Sequence, residues 1–217
     1  MPPVKDSWSG DYKNSPATYE LCDGNRIQLT KCMRADNTLY DLCKNVNKID
    51  IDNFQPKVKT YLNIAYTHKT RININNECMN RYLKEYDNKE HVFIERDNNN
   101  MKTQDVKLCK GMPIIAWNNI YKNKHNIINT DKFTIKQTNN EDMIITDGHR
   151  DIKLPSNIFH KIKIFYIGFC ITIYACQGET FNKPYTIYDW NHKIFCDRAK
   201  YVSMSRATNI DNIQISN

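Results

Sequence analysis

Ile171-Thr-Ile-Tyr-Ala-Cys-Gln-Gly-Glu-Thr-Phe181 is the stretch whose reading decides the fold. Its β-branched residues favour a strand by propensity. The apolar spacing of Ile167, Cys170, Ile171 and Tyr174 instead fits one face of a helix. Gly178 is the residue type that commonly closes a helix C-terminus. A second stretch, Tyr201-Val-Ser-Met-Ser-Arg-Ala-Thr208, follows near the C-terminus, with a helix expected over Asp197–Arg206.

In this order, the two stretches resemble the last two conserved motifs of superfamily-one helicases, in the RecD, Dda and Pif-type branch. The family patterns read I-T-I-H-x-S-Q-G-x-T-F and Y-V-A-L-S-R-A. Tyr174 stands here where His is usual, and Cys176 where Ser is usual. The family places a helix in the first motif, so a helix ending near Gly178 is expected. Three further segments extend the resemblance. Leu29, Thr30, Met33 and Arg34 follow L-T-x-x-M-R-x-x-D, with Asp36 one place early. Lys110-Gly-Met-Pro-Ile-Ile-Ala-Trp-Asn-Asn119 is similar to K-x-G-x-x-V-M-x-x-x-N, which opens a small SH3-like barrel in that branch. Met1-Pro-Pro-Val-Lys-Asp6 resembles the tail of G-D-x-x-Q-L-P-P-V. The chain is therefore expected to begin inside a motif, with the first RecA-like domain missing. In keeping with that, the sequence contains no G-x-x-x-x-G-K-[ST] phosphate loop.

The resemblance implies an α/β fold: a RecA-like parallel-sheet domain with a small all-β (SH3-like) insert. It implies ATP and Mg²⁺ as cofactors, both bound mainly by the missing first domain. Arg34 and Arg206 would be the catalytic arginines, each presenting a guanidinium to the nucleotide. Gln177, Gly178 and Glu179 would bind ATP; a glycine permits a sharp turn close to a ligand, and its neighbours reach a ribose hydroxyl or the attacking water. Thr67, His68, Lys69, Thr172 and Tyr174 would grip nucleic acid, mainly through its phosphates. The implied partners are single-stranded DNA, with RNA possible, and the first RecA-like domain of the same full-length protein. Translocation would run 5′ to 3′, and the chain alone would be inactive. Two other readings stay open: a viral superfamily-one RNA helicase domain, and a non-catalytic nucleic-acid-binding module.

Composition agrees without deciding. The 217 residues carry a net charge of +7, compatible with a polyanionic partner or with a solvated basic surface. Eight cysteines form no C-x-x-C pair and no zinc spacing, so no metal site is expected. They read as reduced, mostly buried thiols of an intracellular compartment, either nucleus or cytoplasmic viral factory. No apolar run reaches the roughly 20 residues of a membrane span, and no membrane partner is expected. Heavy use of Asn, Ile, Lys and Tyr suggests an AT-rich genome, such as that of a large DNA virus or a protist.

Along the chain, residues 1–25 read as linker and remnant of a first domain, and 26–104 as the first RecA-like segment. Residues 105–160 read as the insert, and 161–217 as the second RecA-like segment. Strands are expected at 26–30, 61–66, 91–95, 112–117, 132–137, 143–146, 183–189 and 212–215, with 161–165 returning to the main sheet. A helix capped by Thr67 or Thr70 should run to Tyr86, with Ile72, Asn76, Met79, Leu83 and Tyr86 inward. Trp117 reads as core rather than stacking platform.

Overall fold

The computed structural model describes residues 15–25, 33–86, 90–119, 126–156, 159 and 165–216. The strand expected at 26–30, the Met1–Asp6 segment and positions 161–164 lie outside the described residues. Within the stretch read as linker, Pro16–Leu21 forms a short helix, α1. Proline's fixed φ suits a first helical position. Helix α2, Asn37–Lys44, starts where Asp36 accepts from the Leu39 amide.

A four-stranded parallel sheet forms the centre. Its strands are β1 (Asn63–Ala65), β9 (Cys170–Thr172), β10 (Tyr185–Ile187) and β11 (Ile213–Ile215), in the order β11-β10-β1-β9. Each is three residues long and almost wholly buried, as strands covered on both faces are, with Asn63, Thr186 and Gln214 among the buried polar residues. Helix α3, His68–Glu85, packs on β1 and β9. The opposite face carries α2 and helix α4, Asp197–Met204, around Ile64, Ile171, Tyr185 and Ile187.

The buried face of α3 is Arg71, Ile74, Asn75, Cys78 and Met79. Of the stripe expected from sequence only Met79 is fully buried; Ile72, Asn76 and Leu83 are half-buried and Tyr86 is exposed. Asn75 explains the rotation. Its side-chain amide donates to the Cys170 carbonyl at 3.0 Å and accepts from the Cys170 amide at 2.8 Å. The helix thus supplies a hydrogen-bonding partner to the edge of the sheet, and that contact fixes which face turns inward.

Between α3 and β9 lie two antiparallel elements. Strands β2 (Val92–Ile94) and β3 (Val106–Leu108) pair as a ribbon. The five-stranded sheet runs β7-β6-β5-β4-β8: β4 (Pro113–Ala116), β5 (Lys132–Thr138), β6 (Asp142–Thr146), β7 (Asp151–Pro155) and β8 (Phe165–Ile167). Strands β5, β6 and β7 alternate buried and open positions, as half-solvated antiparallel strands do. Strand β8 belongs to this sheet, through Ile114↔Ile167, rather than to the parallel one. The chain returns to the central sheet only at Cys170, because Gly168 lets it pass tightly beside Ile115 and Pro113.

The Ile171–Phe181 stretch is not a helix. It begins as strand β9 and continues as consecutive turns through Gly178. Strand propensity prevails over the helical spacing because Ile171 pairs with Ile64 in the parallel ladder. After Thr172 the Ala175 and Cys176 amides both turn back to the Thr172 carbonyl, at 2.9 and 3.1 Å. Gly178, with φ +91°, ends the turns.

Candidate nucleotide and nucleic-acid sites

The two diagnostic stretches meet in space. The Phe181 amide donates to the Arg206 carbonyl at 2.7 Å, and Thr208 donates to the Phe181 carbonyl at 3.1 Å. This parallel bridge sets Gly178 and Glu179 beside the end of α4. Arg206 follows that helix; its Nε donates to the Val202 carbonyl at 3.0 Å and its Nη2 to the Ser205 hydroxyl at 3.0 Å. Its Nη1 reaches the Glu179 carbonyl at 3.4 Å.

Arg34 comes from 171 residues away to donate to the Ser205 carbonyl at 3.4 Å. Two guanidinium groups thus share one edge of the domain, Arg34 exposed and Arg206 half-buried. Burial, and then the charge of Arg34, hold the Arg206 pKa below its ordinary value. Like charges brought together and partly desolvated favour an anion between them. Gln177 and Gly178 are exposed on the same edge. The Glu179 carboxylate pairs with Lys132 of β5 at 2.5 Å, so the antiparallel sheet also reaches this edge. Lys132 escaped the sequence reading, since no local pattern links a strand lysine to a glutamate 47 residues on.

Of the residues expected to grip nucleic acid, Thr172 and Tyr174 lie at the other end of the Ile171–Phe181 segment, and Thr67, His68 and Lys69 at the start of α3. Thr67 caps α3, accepting from the Thr70 amide at 3.1 Å. The chemistry expected of this turn, free amides for a phosphate, is modified by Asp189. Its carboxylate accepts from the amides of Tyr66 and Thr67 at 3.1 and 2.9 Å and from the Thr70 hydroxyl at 2.6 Å. An internal anion already holds this helix start. Asp189 has φ +63°, a conformation that Asp and Asn tolerate better than most residues. Its position at the end of the strand expected over 183–189 is its one signal in the sequence.

His68, Thr172 and Tyr174 line a cavity of about 470 Å³. Lys69 is exposed on the first turn of α3. Arg71, Lys102, Trp117, Thr130 and Tyr166 complete much of the wall. Trp117 is half-buried rather than core, stacked on His68 with ring centres 6.1 Å apart. Desolvation and the neighbouring Arg71 and Lys102 charges lower the His68 pKa, favouring the neutral ring. Thr130 adopts φ +78°, an outlier for a β-branched residue of the sort that collects at binding sites. Tyr174, where the resembling family carries His, presents its ring at the cavity, 6.5 Å from Tyr66. Cys176, in place of Ser, is fully buried and donates to the Ile173 carbonyl at 3.0 Å. Among the described residues no cluster of His, Cys, Asp or Glu has the arrangement of a metal site.

The parallel sheet flanked by helices, with an antiparallel sheet inserted before its edge strand, is an α/β RecA-like fold. The chain is similar in structure to Pif1 helicases. It superposes on Pif1 from a study of DNA unwinding at forked duplex DNA by two coordinating Pif1 helicases, with a TM-score of 0.64 at 18% identity. It also superposes on Bacteroides Pif1 bound to single-stranded DNA, with a TM-score of 0.63 at 17% identity. For Bacteroides Pif1 with ADP-AlF3 and single-stranded DNA the values are 0.62 and 18%. Each match covers 88% of this chain and 49%, 51% and 52% of the other, so the chain spans about half the length of those helicases. No protein-family model and no curated protein matches the sequence.

Proposed function

We propose that the chain is the second RecA-like domain of an ATP-dependent, superfamily-one DNA helicase. In this reading it closes over ATP held by a first RecA-like domain, which supplies the phosphate loop and the Mg²⁺ ligand. The observation that carries it is the convergence of Arg34 and Arg206 on one edge, beside the backbone of Gly178 and Glu179. A γ-phosphate delivered there would offset two crowded positive charges and complete the site. Gln177 and Glu179 stand next to it, and Glu179 would have to part from Lys132 to act on ribose or water. When ATP and Mg²⁺ are bound, their phosphoryl chemistry is the helicase's motor reaction; this chain contributes the arginines and part of the strand grip. That grip is His68, Lys69, Thr172 and Tyr174, with Thr67 holding the turn that presents them. Translocation 5′ to 3′ follows from the sequence resemblance.

The test is fluorescence anisotropy of the chain with labelled single-stranded DNA, single-stranded RNA and duplex DNA across a salt series, alongside an ATPase assay. The expected result is salt-sensitive, sequence-tolerant binding, tighter to single-stranded DNA than to duplex, with no ATP turnover. Preference for duplex would overturn the strand grip, and tighter RNA binding would favour an RNA helicase. ATP turnover by the chain alone, lost in Arg206→Ala, would overturn the division of labour.

A further inference from the structure

Among the described residues Arg71 is the largest fully buried side chain, at 2% exposure. It faces inward on α3, where an apolar residue is the ordinary choice. Its Nη2 donates to the Lys102 carbonyl at 2.7 Å. The Tyr166 and Trp117 rings cover the guanidinium at 5.1 and 5.7 Å. Its Nε and Nη1 have no hydrogen-bond partner, and no ion pair among the described residues includes it. Buried charges are normally paired and hydrogen-bonded, and aromatic faces satisfy only part of what a guanidinium offers. The group forms part of the wall of the 470 Å³ cavity, where Lys102 adds a second cation and the named lining residues include no carboxylate. An anion is the missing partner, and the surrounding Trp117, Tyr166 and Tyr174 rings suit a ligand that also carries a base.

We propose that Arg71 and Lys102 form a phosphate-binding subsite in this cavity, taking a phosphate that is carried by a nucleotide. The inference rests on the strand-grip reading for the identity of the ligand, not for the existence of the site. The phosphate comes either from the backbone of a single strand or from a free nucleotide. Its oxygens would accept from the Lys102 ammonium and, with a shift of the covering Trp117 or Tyr166 ring, from Nε or Nη1 of Arg71, replacing the contacts the guanidinium lacks.

The experiment compares the full chain with Arg71→Met, which keeps length and apolar bulk, and Lys102→Gln, which alters only an exposed side chain. The probes are a labelled oligothymidylate, thymidine monophosphate and inorganic phosphate, the last two read as shifts in thermal midpoint at matched ionic strength. The expected result for Arg71→Met is oligothymidylate binding weakened roughly tenfold or more, with the log–log salt slope reduced by about 0.7. Lys102→Gln should weaken binding less and reduce the slope similarly, which keeps the test valid should Arg71→Met fail to fold. A midpoint raised by thymidine monophosphate or inorganic phosphate in the wild type but not in the variants, with oligothymidylate unaffected, would support the site and assign it to free phosphates. Unchanged affinity, slope and midpoint in both variants, while the wild type still binds the strand, would overturn the subsite and leave the strand-grip reading standing. If the wild type binds no strand yet responds to the phosphate probes through Arg71, the strand reading fails and the subsite stands.

Discussion

Asp189→Ala should destabilise the protein by about 3–4 kcal/mol. The carboxylate accepts three hydrogen bonds that tie the end of β10 to the start of α3. Bonds to charged acceptors contribute about 1.5–3 kcal/mol each when buried. Asp189 is half-exposed, so water recovers part of that on truncation, and about 1 kcal/mol each is the fitting figure. Alanine at φ +63° adds about 1 kcal/mol of backbone strain. For a chain of this length each 1 kcal/mol moves the thermal midpoint by about 2–4 °C, so a fall near 10 °C is expected. Asp189→Asn keeps an acceptor and tolerates the left-handed backbone, and should cost only about 1 kcal/mol. The assay is urea denaturation followed by far-ultraviolet circular dichroism, with anisotropy on single-stranded DNA at a temperature where both variants are folded. The alanine variant should also bind the strand more weakly, since His68 and Lys69 ride on the turn that Asp189 holds. Stability of Asp189→Ala within 0.5 kcal/mol of wild type, or an Asn variant as unstable as Ala, would refute the reasoning.

Three other expectations follow from named contacts. In a protein that carries both RecA-like domains, Arg34→Ala or Arg206→Ala should lower ATP turnover by roughly 10³-fold or more; near-normal turnover would sink the assignment of either arginine. His68 has a folded pKa below its ordinary value of about 6.5, so the unfolded chain takes up that proton first on acidification. Its stabilising contribution is present above about pH 6.5 and lost as pH falls through that value toward the folded pKa; urea midpoints at pH 8 and pH 5.5 should converge in His68→Gln relative to wild type. Burial raises the thiol pKa of Cys78 and Cys109 to about 11 and of Cys176 to about 12, and that of Cys170 well above its ordinary value. A chromogenic disulfide reagent at pH 8 should therefore label exposed Cys22 and Cys196 quickly and these four only on unfolding; fast labelling of Cys176 would contradict the buried turn.

Much of the architecture is legible where pattern and chemistry are local. Thr67 reads as an N-cap, and the structure has it accept from Thr70. The strands at 132–137 and 143–146 show their alternation directly, because one face meets water. The errors arise where long-range pairing decides. Ile171–Phe181 carries helical spacing, yet Ile171 and Thr172 are claimed by the ladder with β1, a partner more than 100 residues earlier. The α3 stripe is misread because two polar residues, Arg71 and Asn75, face inward with Ile74 and Cys78, and a period started at Ile72 and Asn76 follows a neighbouring face. Of the 161–165 segment expected in the main sheet, the one described residue, Phe165, pairs instead in the antiparallel sheet, because an apolar run carries no mark of parallel or antiparallel pairing. Of the candidate site, the motif residues stand out in the sequence, while Asp189, Arg71, Lys102 and Lys132 do not. Each acts through a contact made only by the folded chain.

The turns after β9 supply a physical route by which the two proposed sites would influence each other. Thr172 and Tyr174 line the cavity, and Glu179, five residues beyond Tyr174, accepts from Arg206 through its carbonyl. Between them, Ile173 and Cys176 are fully buried, and the Cys176 thiol closes the turn on the Ile173 carbonyl. The Glu179 amide donates back to Cys176 at 3.1 Å. A segment with its middle packed in the core and its ends at the two proposed sites would pass a shift at one end to the other, because a close-packed core does not deform continuously. An anion that draws Arg206 away from the Glu179 carbonyl would free the far end of this unit; a strand in the cavity would hold the near end. A helix here would have needed the amides at 173–178 for its own bonds. The turns leave Gly178 exposed, with open space where a side chain would begin, so a ligand could approach the segment there. Gly178→Ala tests this directly: no heavy atom lies within 4 Å of the added carbon, so the cost is backbone strain at φ +91°, about 1–2 kcal/mol. If the unit couples the sites, the two-domain protein should lose strand-stimulated ATP turnover in that variant more than it loses strand affinity. An equal loss of both, or none, would show the turns to be only a connection.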